Sequence, residues 1–201
     1  MKLHHLLPLV ALTTAACAAP QSFDFKDPKG VNNAVFKLDA PLESINGSAS
    51  GITGTVNFDP QNPAATTGRI VVASASLTVP NPIQQGHLHG AKWLDVAQYP
   101  EITFETKALK NVKTDGNVTA ADATGMFTLH GVAREITVPV TLTYLADKLG
   151  ARVPNLKGDL LVLRAHFVIN RNDFNLQPGQ SEEKVSPAID LSLSIAGASV
   201  K

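Results

Sequence analysis

Cysteine is almost absent from this chain. Cys17 is the only one in 201 residues, so no internal disulfide forms and the fold must hold by packing alone. Charge is also sparse. Charged residues make up 17% of the chain, 17 basic against 17 acidic, for a net charge of +0. With no basic surplus to neutralise phosphates, the expectation is no nucleic-acid partner. Aromatic residues are only 5%, yet 44% of the chain is hydrophobic, which excludes intrinsic disorder. Past the N-terminus no apolar run is long enough to cross a bilayer as a helix. There is no Gly-x-Ser-x-Gly elbow, no internal repeat and no low-complexity tract.

The N-terminus reads as an export signal. Met1-Lys2 gives a positive start, Leu6 to Leu12 a short apolar run, and Thr13 to Ala19 a stretch of small residues. The expected division is a signal peptide over 1–19 and one domain over 20–201, in the periplasm or secreted. Thr14-Ala15-Ala16-Cys17 also resembles a lipoprotein signal, in which a lipidated Cys17 tethers the chain to a membrane. Ordinary cleavage would discard the cysteine. About 180 residues then remain, enough for one substantial core.

Alternation with period two dominates that remainder. Ile136, Val138, Val140, Leu142 and Tyr144 share one face, as do Ile189, Leu191, Leu193 and Ile195. Further strands are expected over 34–38, 51–59, 69–79, 102–109, 117–130 and 158–170. Asp115-Gly116 marks a hairpin, and Pro139 belongs at a strand edge or bulge. The strand over 160–169 is apolar on both faces except at Arg164 and His166, which predicts cover on both sides or a ligand on one. Eight strands with almost no helix suit a sandwich or a barrel, and closure removes exposed edges.

Three cassettes carry a more specific signal. The first is His87-Leu88, Leu94-Asp95, Tyr99-Pro100 and Ile102 with Phe104. The second runs from Gly125 to Val132 and the third is Ile169-Asn170-Arg171-Asn172-Asp173-Phe174-Asn175. In this order they resemble the YceI-like family of lipocalin-shaped, polyisoprenoid-binding proteins. Phe127 stands where Leu is usual, and Asn175 where Gly is usual. Pro82 to Gly86 carries no charge where family members often do. The resemblance implies an all-β, single extended antiparallel eight-stranded lipocalin-like barrel with a short helix near 87–97. It further implies an elongated apolar cavity for an isoprenoid chain, such as a quinone or prenyl lipid, and no catalysis.

The residues themselves leave alternatives open. Trp93, Phe104, Phe127, Phe167 and Phe174 could line a cavity or fill an ordinary core. Small inward residues favour space, and the face of Val71, Ala73, Ala75 and Leu77 is one candidate wall. His87 and His130 are further candidate ligand contacts. Arg164 could meet a phosphate or quinone oxygen, although period-two counting sets it outside, opposite Leu163, Ala165 and Phe167. His87 and His89, with His130 or His166, could instead form a metal site serving a stress-related enzyme. Against that, no Cys or acidic cluster completes a ligand set, and imidazoles at strand ends often bond to backbone groups. Asp95 and Glu101 more plausibly orient a loop than act as a catalytic pair. A β-sandwich that binds another protein is a third reading. A barrel with an open end also offers a surface for a homodimer.

Overall fold

The computed structural model describes residues 20–201. The export signal, its cleavage and the lipidation of Cys17 concern residues outside this range. Eleven strands follow in chain order: β1 Gln21–Asp24, β2 Asn33–Asp39, β3 Ser44–Ala49, β4 Ile52–Phe58, β5 Thr67–Ala73 and β6 Leu77–Thr78, then β7 Glu101–Asp115, β8 Val118–Leu129, β9 Val132–Leu145, β10 Gly158–Asn170 and β11 Ala188–Val200. A helix, α1, spans Pro82–His89, and a single helical turn, α2, spans Leu149–Arg152.

All pairings are antiparallel, and the order β1-β4-β5-β7-β8-β9-β10-β11 closes on itself where Asp24 of β1 meets Ala198 of β11. This closed ring of eight strands excludes the sandwich. β11 is longer than β1, so beyond that contact β2 takes over its free edge, pairing Asn33 to Lys37 with Ser194 to Asp190. β3 and then β6 extend the wall from β2.

The alternating strands behave as their sequences predict. Val138, Val140 and Leu142 of β9, and Leu191 and Leu193 of β11, face the interior. Asp115-Gly116 makes the β7–β8 turn, with Gly116 at φ 56°. Pro139 pairs with Asp122 of β8, but the ladder from β9 to β10 stops at the neighbouring Val140. On that side β9 becomes an edge, where a missing donor costs no ladder bond.

Four expectations need correction. β3 was not legible, because Ser-Ile-Asn-Gly-Ser-Ala lacks apolar alternation. Gly47 lies there because the Phe36 ring crosses it: a Cβ would fall 2.1 Å from Phe36 Cζ. The helix begins at Pro82 and ends at His89, earlier than 87–97, because Asn81 caps it. Its Oδ1 accepts from the N–H groups of Ile83 (2.9 Å) and Gln84 (3.3 Å), and Pro82 fits the first turn, where no donor is needed. The supposed strand over 69–79 is broken by a 3₁₀ turn at Ser74–Ser76. That turn resets the alternation, so Ile70, Val72 and Leu77 line the interior and Val71 and Ala73 do not. Finally, of the two readings of β10, cover on both faces holds only at its start, where α2 packs on it, while Leu163, Ala165, Phe167 and Ile169 of its inner face line the interior space. Leu160 is buried at that start, whereas Val168 is 59% exposed.

Candidate functional site

Two apolar clusters divide the interior. The first, around Phe23, Phe25, Ile52, Phe58, Leu161 and Ile195, sits where β1 closes the ring. The second, around Leu94, Phe127, Leu129, Ile169, Phe174 and Leu176, sits at the opposite end. Phe104 packs against both. Between them runs a cavity of about 210 Å³ whose wall takes Val56, Leu109 and Leu142 from the first cluster and Phe127, Leu129 and Ile169 from the second. It is therefore elongated along the barrel. Small wall residues make the space: Ala34, Ala49, Ala123 and Ala165 stand where larger side chains would fill it.

The second end is roofed by α1, the loop from Gly90 to Pro100 and the loop from Arg171 to Pro187. Leu88, Trp93, Leu94 and Leu176 reach the cavity from this cap. Arg171 holds it together. The side chain is fully buried, yet no carboxylate bonds to it. Its Nη1 donates to the carbonyls of Leu176 (2.6 Å) and Gln177 (2.5 Å), and Nη2 to those of Gln180 (2.6 Å) and Val185 (3.1 Å). Its Nε donates to Ser186 (3.2 Å). A guanidinium carries five N–H donors, and all five fold this loop around one cation. Burial pulls the Arg171 pKa down, partly opposed by the charge of Glu182. The guanidinium also lies 5.5 Å from the centre of the Trp93 ring, within cation–π range.

The three sequence cassettes meet in this cap. Tyr99, from the first, lies over Gly131, from the second. A Cβ on Gly131 would come within 2.5 Å of Tyr99 Cε1, and its φ of 72° also favours glycine. The Tyr99 ring meets His130 edge-on, with centroids 4.6 Å apart. His130 Nδ1 lies 3.3 Å from the carbonyl oxygen of Phe174, in the third cassette. Asn175 takes the left-handed conformation at φ 56°, which Asn tolerates better than most residues. Gly125 is required for packing, since a Cβ there would lie 2.6 Å from Phe104 Cζ.

The YceI-like domain model matches residues 27–196, most of the chain. The chain belongs to the YceI-like family. Relatives include a UPF0312 protein of Pseudomonas savastanoi pv. phaseolicola, 32% identical over 202 residues and covering 97% of each chain. Protein YceI of Escherichia coli O157:H7 is 31% identical over 155 residues, covering 77% of this chain and 74% of that one. Among solved structures, Burkholderia cenocepacia BcnA superposes with a TM-score of 0.65 at 21% identity, over 82% of this chain and 94% of that one. A polyisoprenoid binding domain from Saccharophagus degradans, implicated in plant cell wall breakdown, superposes with a TM-score of 0.63 at 12% identity, over 90% and 99%. At these identities the superpositions show the fold alone.

Within this YceI-like barrel the candidate residues part company. Trp93, Phe104, Phe127 and Phe167 line the cavity. Phe174 stands behind the wall, edge-on to Phe127 at 5.5 Å. His130 also stays out of the wall, held by Tyr99 and Phe174. Arg164 is exposed on the outer face, as alternation along β10 requires, and so cannot meet a ligand inside. His87 is exposed on α1. His89 turns elsewhere, its Nε2 lying 2.7 Å from the carbonyl oxygen of Leu77. The two histidines lie on a helix, where residues two apart point in nearly opposite directions, so the strand-like pairing fails. Among the described residues no three His, Cys, Asp or Glu side chains converge as metal ligands. Asp95 anchors its loop through its carbonyl, which accepts from Gln98 (2.9 Å) and Tyr99 (2.8 Å), and Glu101 pairs outside with Arg69 at 3.1 Å.

Sequence reasoning passed over Leu88, Leu163, Leu176 and Leu191 as wall residues. For Leu163 and Leu191 the signal was there, in the same alternation that set Arg164 outside. Leu88 and Leu176 sit in the cap, where no periodicity marks an inward face.

Proposed function

We propose that this protein binds and carries a long-chain isoprenoid or similar amphiphilic lipid inside the barrel, in the periplasm or another exported compartment. The wall of the cavity carries this reading. It is built almost wholly from Ala, Val, Leu, Ile and aromatic side chains, and it follows the barrel axis from the packed β1 end to the cap. An elongated apolar space suits an extended hydrocarbon chain. Burial contributes about 0.8 kcal/mol per methylene before ordering costs, so each isoprene unit adds roughly 4 kcal/mol. Affinity then needs few polar contacts. The name of the Saccharophagus degradans neighbour points the same way, and the sequence of residues 1–19 supports export. Burial without catalysis accords with the histidines, since His89 and His130 have structural partners and His87 faces solvent.

Organic-solvent extraction of protein purified from its native type of compartment, followed by mass spectrometry, tests this. The expected result is one long-chain lipid per chain. A lipid-free extract from folded protein, together with no uptake of added geranylgeraniol, would overturn the reading.

A further inference from the structure

We infer that the ligand's polar end is uncharged, so that the cavity takes a long-chain alcohol, quinone or similar neutral lipid and discriminates against the diphosphate of the same chain. This rests on the carrier reading above and narrows it.

The chain has 17 basic and 17 acidic residues, and among those described Arg171 alone belongs to the cavity wall. Arg171 is not available to an anion. All five of its N–H groups already donate to main-chain carbonyls between Leu176 and Ser186. A phosphate that recruited them would strand those carbonyls, each at a cost of about 1–3 kcal/mol, and would undo the cap. The N-terminus of α1 offers no substitute. Its first free N–H groups, on Ile83 and Gln84, are taken by Asn81 Oδ1, and Pro82 to His89 contains no Lys or Arg. His89 of the same helix sits against Leu77 and Gln85. The other polar wall groups are uncharged: the hydroxyls of Thr66, Thr103, Thr106 and Ser192 and the indole N–H of Trp93. An ionised diphosphate drawn into this cavity would lose its hydration without gaining a countercharge, which is strongly unfavourable. A hydroxyl or carbonyl needs only one or two hydrogen bonds.

Geranylgeraniol and geranylgeranyl diphosphate form a matched pair of probes, identical except for the head. Trp93 is the only tryptophan in the chain and lines the cavity, so its fluorescence reports occupancy directly. Lipid-free mature protein would be titrated with each compound below its aggregation concentration, at low and at physiological salt. The inference predicts that the alcohol binds at least tenfold more tightly at both. Equal or tighter binding of the diphosphate would overturn the inference and leave the carrier reading standing. Binding of neither compound would overturn both.

Discussion

At the end of the barrel closed by β1, Phe23, Phe25 and Phe58 are each 1% exposed or less. Tyr144 meets Phe23 and Phe58 there, each at 6.2 Å. Polar ties reinforce this end. The buried carboxylate of Asp159 accepts from Tyr144 Oη (2.9 Å), the Asp147 N–H (2.8 Å) and Lys201 Nζ (2.9 Å). Asp27 accepts from the N–H groups of Val31 and Asn32, both at 2.7 Å, and from Arg152 at 3.0 Å. At the other end the core is interrupted by the cavity, and the roof consists of loops gathered around Arg171. One end is filled by aromatic side chains. The other keeps its own aromatic cluster of Phe127, Phe167 and Phe174, but its roof is held by hydrogen bonds to a single cation and encloses a space without filling it. A barrel can thus be stable and hollow at once, because the two tasks fall to different ends.

Several substitutions would break or sharpen that contrast. Phe58→Ala removes a ring from the solid end and should cost about 3–5 kcal/mol in urea denaturation, while lipid affinity in the surviving folded protein stays within twofold. Arg171→Met leaves the five carbonyls of the cap without their donor and should cost about 3 kcal/mol, less than the five penalties together because the freed loop opens to water. Here the damage should be local, with faster amide hydrogen exchange over residues 172–187 and weaker lipid binding. Ala165→Phe places a ring in the cavity wall. It should abolish lipid uptake in fluorescence titrations yet shift the denaturation midpoint little, because the ring occupies existing space.

Acid should separate the two ends further. Burial pushes the carboxyls of Asp159 and Asp27 up. Hydrogen bonds from Asp147, Lys201 and Tyr144 to Asp159, and from Asn32, Lys29 and Val31 to Asp27, outweigh it and hold both below the ordinary value of 3.8. A carboxyl depressed in the folded state stabilises above its unfolded pKa, and that contribution is lost as pH falls through the folded value. Denaturation curves should therefore show stability falling below about pH 4. Asp159→Asn should begin less stable and lose less on acidification. The smallest effect should come from Glu101→Gln. Its ion pair with Arg69 is more than half exposed, and the midpoint should barely move.

How far the sequence foretold this molecule differs between the same two regions. Period-two patterning marked the inward residues of β9, β10 and β11 and placed Arg164 outside, because a strand with one wet face writes its orientation into every second residue. The cassettes marked the cap. They suggested ligand contacts at His130 and Phe174, however, where both residues hold loops together behind the cavity wall, because sequence order alone does not show which distant segments meet. The solid end was the least legible part. β1 is four residues long, and the tie from Asp159 to Lys201 joins residues 42 positions apart, a pairing that only the register of β10 and β11 creates.

Methyl NMR of the lipid-free protein during titration with geranylgeraniol would test the central claim most directly. The hollow-end account predicts shifts at Val138, Leu163, Ile169 and Leu191, which line the cavity, and none at Ile52, Leu161 and Ile195, which pack the solid end. Shifts confined to the solid end or to the exposed Ile83, with the cavity methyls unmoved, would contradict it.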